Sequence, residues 1–116
     1  MHLFTYDEGN DIYQVQLNGI RFITQNVNDD IETFTKQLAD QYFNRLNDII
    51  SFIQDDIKAM YDIDDPIVIQ SSLGIPEIDV ERCIITYLHH TFDQCHIIDV
   101  EFSGVFDEFL YTSIDG

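Results

Sequence analysis

His89, His90, Cys95 and His96, with Cys83 upstream, are the residues whose types come nearest to a reactive or metal-binding site. Imidazole nitrogen and thiolate sulfur hold zinc when three or four of them converge on one point. The spacing works against convergence, because the adjacent His89 and His90 point to opposite faces of a strand, and no CxxC or HxxxH pair is present. A nucleophilic Cys95 needs a base beside it, and the candidate base, His96, is its sequence neighbour. A small metal- or Cys-dependent enzyme using the His89 to His96 region is therefore the alternative that these residues leave open.

Other chemistries find less. Ser71, Ser72 and Ser103 lie in no G-x-S-x-G elbow, and the five glycines form no phosphate-cradling loop. Asp62, Asp64 and Asp65 alternate like the opening of a calcium loop, but Pro66 follows where such a loop needs freedom, and the central glycine and closing glutamate are missing. Paired carboxylates are uninformative in a chain with 22 acids. No catalytic residue, metal ligand or cofactor is assigned, and the chain is not read as an enzyme.

The charge is the outlier. Twenty-two Asp and Glu face five Lys and Arg, a formal net charge of −17 over 116 residues. Such a surface repels nucleic-acid phosphates and anionic lipid and attracts basic proteins. The acids are spread along the chain instead of forming a tail, and 45% hydrophobic content supplies a core, so the charge belongs to a folded surface. The length suits one domain spanning residues 1–116. An acidic N-terminus is unlike a signal peptide and no apolar run approaches a membrane span, so a cytoplasmic protein with reduced Cys83 and Cys95 is expected.

The elements that must position these residues follow from periodicity. Asn18-Gly19 divides two β-rich runs and favours a two-residue hairpin turn, which sets Leu17 opposite Ile20, Val15 opposite Phe22 and Tyr13 opposite Thr24. Leu3 to Tyr6 adds a short leading strand. From Asp30 to Tyr61, apolar residues from Ile31 to Met60 recur at steps of three and four, which is a helical stripe, with Asn28 or Asp29 as its cap. Unbroken, this helix is roughly 45 Å long. It is expected to break, bend or protrude, and Asn44 to Asp48, weakest in helix propensity, is where a break would fall. Phe43, Ile50 and Phe52 lie off the stripe and suggest a homodimer if the rest of the chain does not cover them. Pro66 and Gly74 are compatible with a short helix between them, in competition with a buried strand through Ile67 to Ile69.

The last third reads as a three-stranded antiparallel meander of Cys83 to His90, His96 to Phe102 and Val105 to Thr112, turning at Ser103-Gly104. The fold class is thus α+β, an antiparallel sheet made of the N-terminal hairpin and the C-terminal meander, packed against one long helix. A two-residue turn pairs Asp99 with Glu108, and a five-residue loop sets Leu88 beside Ile98. One face then carries Ile84, Leu88, Ile98, Val100, Phe102, Val105 and Phe109. The other presents Asp99, Glu101 and Glu108 among Ile85, Tyr87 and Phe106, with His89, Ile97 and Leu110 nearby. Like charges across a strand pair cost up to about 1 kcal/mol. Acids ringed by apolar groups suit a basic partner with an apolar component, so this face is the candidate binding site.

The run Tyr87-Leu-His-His-Thr-Phe-Asp-Gln-Cys-His-Ile-Ile-Asp-Val-Glu-Phe-Ser-Gly, with the closing Asp115-Gly116, resembles small acidic bacterial domains of unknown function that are often encoded beside polymorphic toxins. The shared features are an aspartate and a histidine opening a strand, a V-x-F-x-G exit and the final D-G, over roughly the last 30 residues. The resemblance implies a helix packed on an antiparallel sheet and an immunity role, and carries no functional residues onto this chain. An acidic domain that neutralises a basic toxin by covering its cationic surface is the function expected.

Overall fold

Asn18 and Gly19 close the first hairpin with φ of 53° and 82°, the positive values that a type I′ turn requires at both central residues. In the computed structural model, which describes residues 3–116, this turn joins β2 (Ile12–Leu17) to β3 (Ile20–Thr24) with Leu17 opposite Ile20, Val15 opposite Phe22 and Tyr13 opposite Thr24, as expected. A short β1 (Thr5–Asp7) pairs with the far side of β2.

The chain then enters α1 (Asp29–Tyr61), capped by the Asn28 side chain accepting from Ile31 N–H at 2.8 Å. The helix is continuous over 33 residues, and the expected break at Asn44 to Asp48 does not occur. Burial decides this. Leu38, Ile49, Ile53 and Ile57 are completely buried against the sheet, each contributing about 1.5–3 kcal/mol, whereas Asn44, Asn47 and Asp48 each cost only about 0.5–0.7 kcal/mol in propensity. Arg45 also pairs with Asp48 at 3.2 Å and lies over the Phe109 ring. The molecule accommodates the helix by elongating to 46 Å. Ile50 is buried and Phe52 packs against Phe109, leaving Phe43 exposed, so most of the off-stripe apolar surface is covered within the chain.

Asp62 ends α1 in a left-handed conformation, and Asp65 caps α2 (Pro66–Leu73), which Pro66 opens and Gly74 closes. The helix reading of this segment holds over the strand. β4 (Glu77–Asp79) then lies parallel to β3, so α1 and α2 together form the crossover. β5 (Ile84–Tyr87), β6 (Ile97–Ser103) and β7 (Glu108–Asp115) complete a seven-stranded sheet in sequential order, antiparallel except for the β3/β4 pair. The fold class is the α+β expected from the sequence. The three-residue β4 was not.

Two registers in the last third differ from expectation. Tyr87, not Leu88, opposes Ile98, because the β5–β6 connection runs nine residues from Leu88 to His96 instead of five. A slip of one residue exchanges the faces of a strand, and Ile85 and Tyr87 accordingly sit in the core at 0% exposure, where the hydroxyls of Tyr42 and Tyr87 meet at 2.5 Å. Between β6 and β7, Ser103 opposes Glu108, with Asp107 N–H donating to Ser103 C=O across a four-residue connection. Phe106 occupies a left-handed conformation there (φ 57°) and turns its ring inward onto Phe102 and Tyr42. A register shift against Glu101/Phe102 follows, with Leu110 as the extra residue.

Candidate functional site

Alternation along the strands separates the sheet into two sides. Phe22, Ile78, Ile85, Tyr87, Ile98, Val100 and Phe102 point to one side and form a single core with the buried residues of both helices. The residues between them point the other way. None of those on β1 to β6 is buried, including the apolar Ile12, Ile23, Ile84 and Ile97, so no element among the described residues covers that side.

The open side is acidic by construction. Registers place Asp7, Glu77, Asp79, Asp99, Glu101, Glu108 and Asp115 on it, against one strand cation, Arg21. Arg21 is already engaged, with Glu77 at 2.7 Å, Asp7 at 3.3 Å and the Gln14 amide oxygen at 2.9 Å. The Asp7 carboxyl is held below its usual range chiefly by the Asn10 side chain, with Asn10 and Gly9 N–H groups and Arg21 adding to the effect against partial desolvation. At the centre, Ile23, Glu77, Asp79, Arg82, Ile84, Thr86 and Asp99 line a shallow hollow of about 170 Å³. Two isoleucines and three carboxylates in one lining suit the methylene stem and charged head of a Lys or Arg side chain, and Arg82 of this chain borders the same space.

The expected site is therefore divided. Asp99, Glu101 and Glu108 do face the open side, but Ile85, Tyr87 and Phe106 are in the core and cannot frame them. Their place is taken by Ile84, Ile97 and Tyr111. Asp99 opposes Thr86 and Ser113, not Glu108, and accepts a hydrogen bond from Thr86 Oγ1 at 2.7 Å. The like-charge pair thus does not form. Glu77 and Asp79 were missed because β4 is only three residues long, although the alternation of Glu77 and Asp79 with the buried Ile78 and Val80 carries the signal.

Cys83 lies in the β4–β5 turn, its thiol pushed up chiefly by desolvation, and Cys95 lies in the β5–β6 loop; both are free. Among the described residues no group of three or more His, Cys, Asp or Glu is placed to hold a metal ion. Asp62 and Asp65 cap helices and Asp64 pairs with Lys58. His90 is buried, its Nδ1 accepting from Phe92 N–H and its Nε2 meeting the His96 carbonyl at 2.6 Å.

Asp93 organises this loop. It accepts from Cys95 and His96 N–H, from the Tyr61 hydroxyl at 2.7 Å and from His96 Nδ1 at 2.7 Å. Partial desolvation alone raises its pKa, but these donors outweigh it and hold the carboxyl well below the usual range. The Tyr61 hydroxyl is pushed up to about 12, first by desolvation and then by Asp93. A carboxyl depressed in the folded state contributes stability that is complete above its unfolded value, roughly 4, and is lost as pH falls through the folded value. Asp93→Asn is therefore expected to lower Tm at neutral pH, with a deficit relative to the native chain that shrinks as pH drops below about 4. Thermal melts from pH 7 to pH 2 check this, and a constant deficit would remove Asp93 from the role.

No helix among the described residues is long and apolar enough to cross a membrane. No family model, no curated protein and no solved structure matches this chain.

Proposed function

We propose that this chain is an acidic protein-binding domain that covers the cationic surface of a basic protein, in the manner of an immunity protein neutralising a toxin. The observation that carries the reading is the uncovered side of the sheet, where seven strand carboxylates stand against one strand arginine that is already paired, with Arg82 of the β4–β5 turn bordering the central hollow. A surface exposed only for solubility has no need of Ile12, Ile23, Ile84 and Ile97 between its charges. Together they fit a partner that brings Lys or Arg heads on apolar stems. Function in the cytoplasm is part of the proposal and agrees with two free thiols.

Co-expression with the product of the neighbouring gene tests the reading. A complex that survives purification at low ionic strength, and whose association rate falls by about tenfold or more as salt is raised, is expected. Absence of a complex at low ionic strength would overturn the assignment to a neighbouring toxin.

A further inference from the structure

We infer that the free edge of β7, with the groove between it and the last turns of α1, receives a β-strand of the basic partner. The inference rests on the binding role proposed above and adds the mode of docking.

The sheet has two edges, and they differ. β1 is three residues long and its following turn is tied by Asp7, which accepts from Gly9 and Asn10 and pairs with Arg21. Short, tethered strands are how proteins blunt an edge. β7 has eight residues and pairs only with β6, so alternate residues turn their N–H and C=O groups outward. It contains no Lys, Arg or Pro, and its two charged residues, Glu108 and Asp115, stand at its ends. The irregularity at Leu110 bends only its beginning, and Tyr111 to Asp115 pair regularly.

A groove of about 390 Å³ runs beside this regular part, with Tyr111 to Asp115 along one side and Asp56, Ala59 and Met60 of α1 along the other. Met60 and Tyr111 are 46% and 62% exposed. A strand added to β7 would turn alternate side chains to the helix side, where Met60 and Ala59 offer apolar contact. The others would reach the open side, where Glu101 and Asp115 offer charge. The fitting occupant is therefore an extended segment alternating apolar with Lys or Arg residues. A second copy of this chain fits poorly. Antiparallel self-pairing centred between Tyr111 and Thr112 sets Glu108 against Asp115 at both ends, and each copy carries −17.

The test uses an end-capped octapeptide of alternating Lys and Val, and a peptoid with the same side chains but no backbone N–H. Anisotropy titration at low ionic strength is expected to show the peptide binding at least about tenfold more tightly than the peptoid, since strand addition depends on main-chain hydrogen bonds. Amide exchange in the complex should slow at β7 and not at β1. Met60→Lys, an exposed helical change that leaves the sheet intact, should weaken the peptide by about tenfold through like-charge contact in the groove. Equal binding of peptide and peptoid, binding without protection of β7, or no peptide binding would each overturn the edge assignment while leaving the acidic face as a binding surface. Protection of β7 that grows with protein concentration in the absence of peptide would assign the edge to a second copy and equally overturn the inference. Failure of the neighbouring-gene complex with β7 protected by the peptide would count against the toxin and not against the edge.

Discussion

Phe106→Ala is expected to lower folding stability by about 3–5 kcal/mol, the cost of emptying a buried aromatic site. The ring is fully buried and packs against Tyr42, Phe102 and Phe109. Against a total of about 5–15 kcal/mol for an ordinary domain, that loss is large. The backbone adds a distinguishing sign. At φ 57° a side chain other than glycine is strained, so Phe106→Gly loses the same ring yet relieves the turn, and should be at least as stable as Phe106→Ala. Urea unfolding of the three proteins measures both effects. A loss under about 1 kcal/mol would mean that Phe106 is a surface residue after all, as its place in the sequence suggests.

The reason Phe106 reads wrongly from sequence is physical. Ser103-Gly104 satisfies the chemistry of a two-residue turn, and nothing local reveals that burying Phe106 offsets the strain of a longer one. β5 raises a similar problem. Ile84, Ile85, Tyr87 and Leu88 place apolar side chains on both faces of the strand, so alternation cannot choose between parities, and the choice falls to the length of the following loop. That loop is set by Asp93 and His90, whose partners include the distant Tyr61 hydroxyl and the loop's own backbone, neither of which alternation registers. The N-terminal hairpin posed no such difficulty, because Asn18-Gly19 dictates both turn and register. β6 was also readable, since Ile98, Val100 and Phe102 alternate with Asp99 and Glu101 and can be buried only on one side. Asp99, Glu101 and Glu108 were therefore visible in the sequence as open-face acids, whereas Glu77, Asp79 and the apolar neighbours were not. Continuity of α1 was hidden because propensity is local while the burial that outweighs it depends on the whole sheet.

The second large effect concerns binding. Reversing Asp99 and Glu101 to Lys is expected to weaken the complex with the basic partner by about 100-fold, as two charge reversals at the centre of an interface turn attraction into repulsion. Both side chains stand on the open side of β6, so the substitutions leave the core intact; Asp99 gives up only its bond to Thr86. Net charge alone would produce part of this loss. Asp40 and Asp55 provide the control, because both are exposed on the far side of α1 and engage no basic side chain among the described residues. Changing them to Lys alters the net charge by the same amount.

The decisive measurement is therefore the ratio of dissociation constants for the Asp99→Lys/Glu101→Lys and Asp40→Lys/Asp55→Lys variants, taken with the same partner at the same ionic strength. A ratio of about tenfold or more, with the helix variant close to the native chain, is expected if the open sheet face is the binding surface. Equal weakening of the two would contradict it and reduce the acidity of this chain to a bulk property.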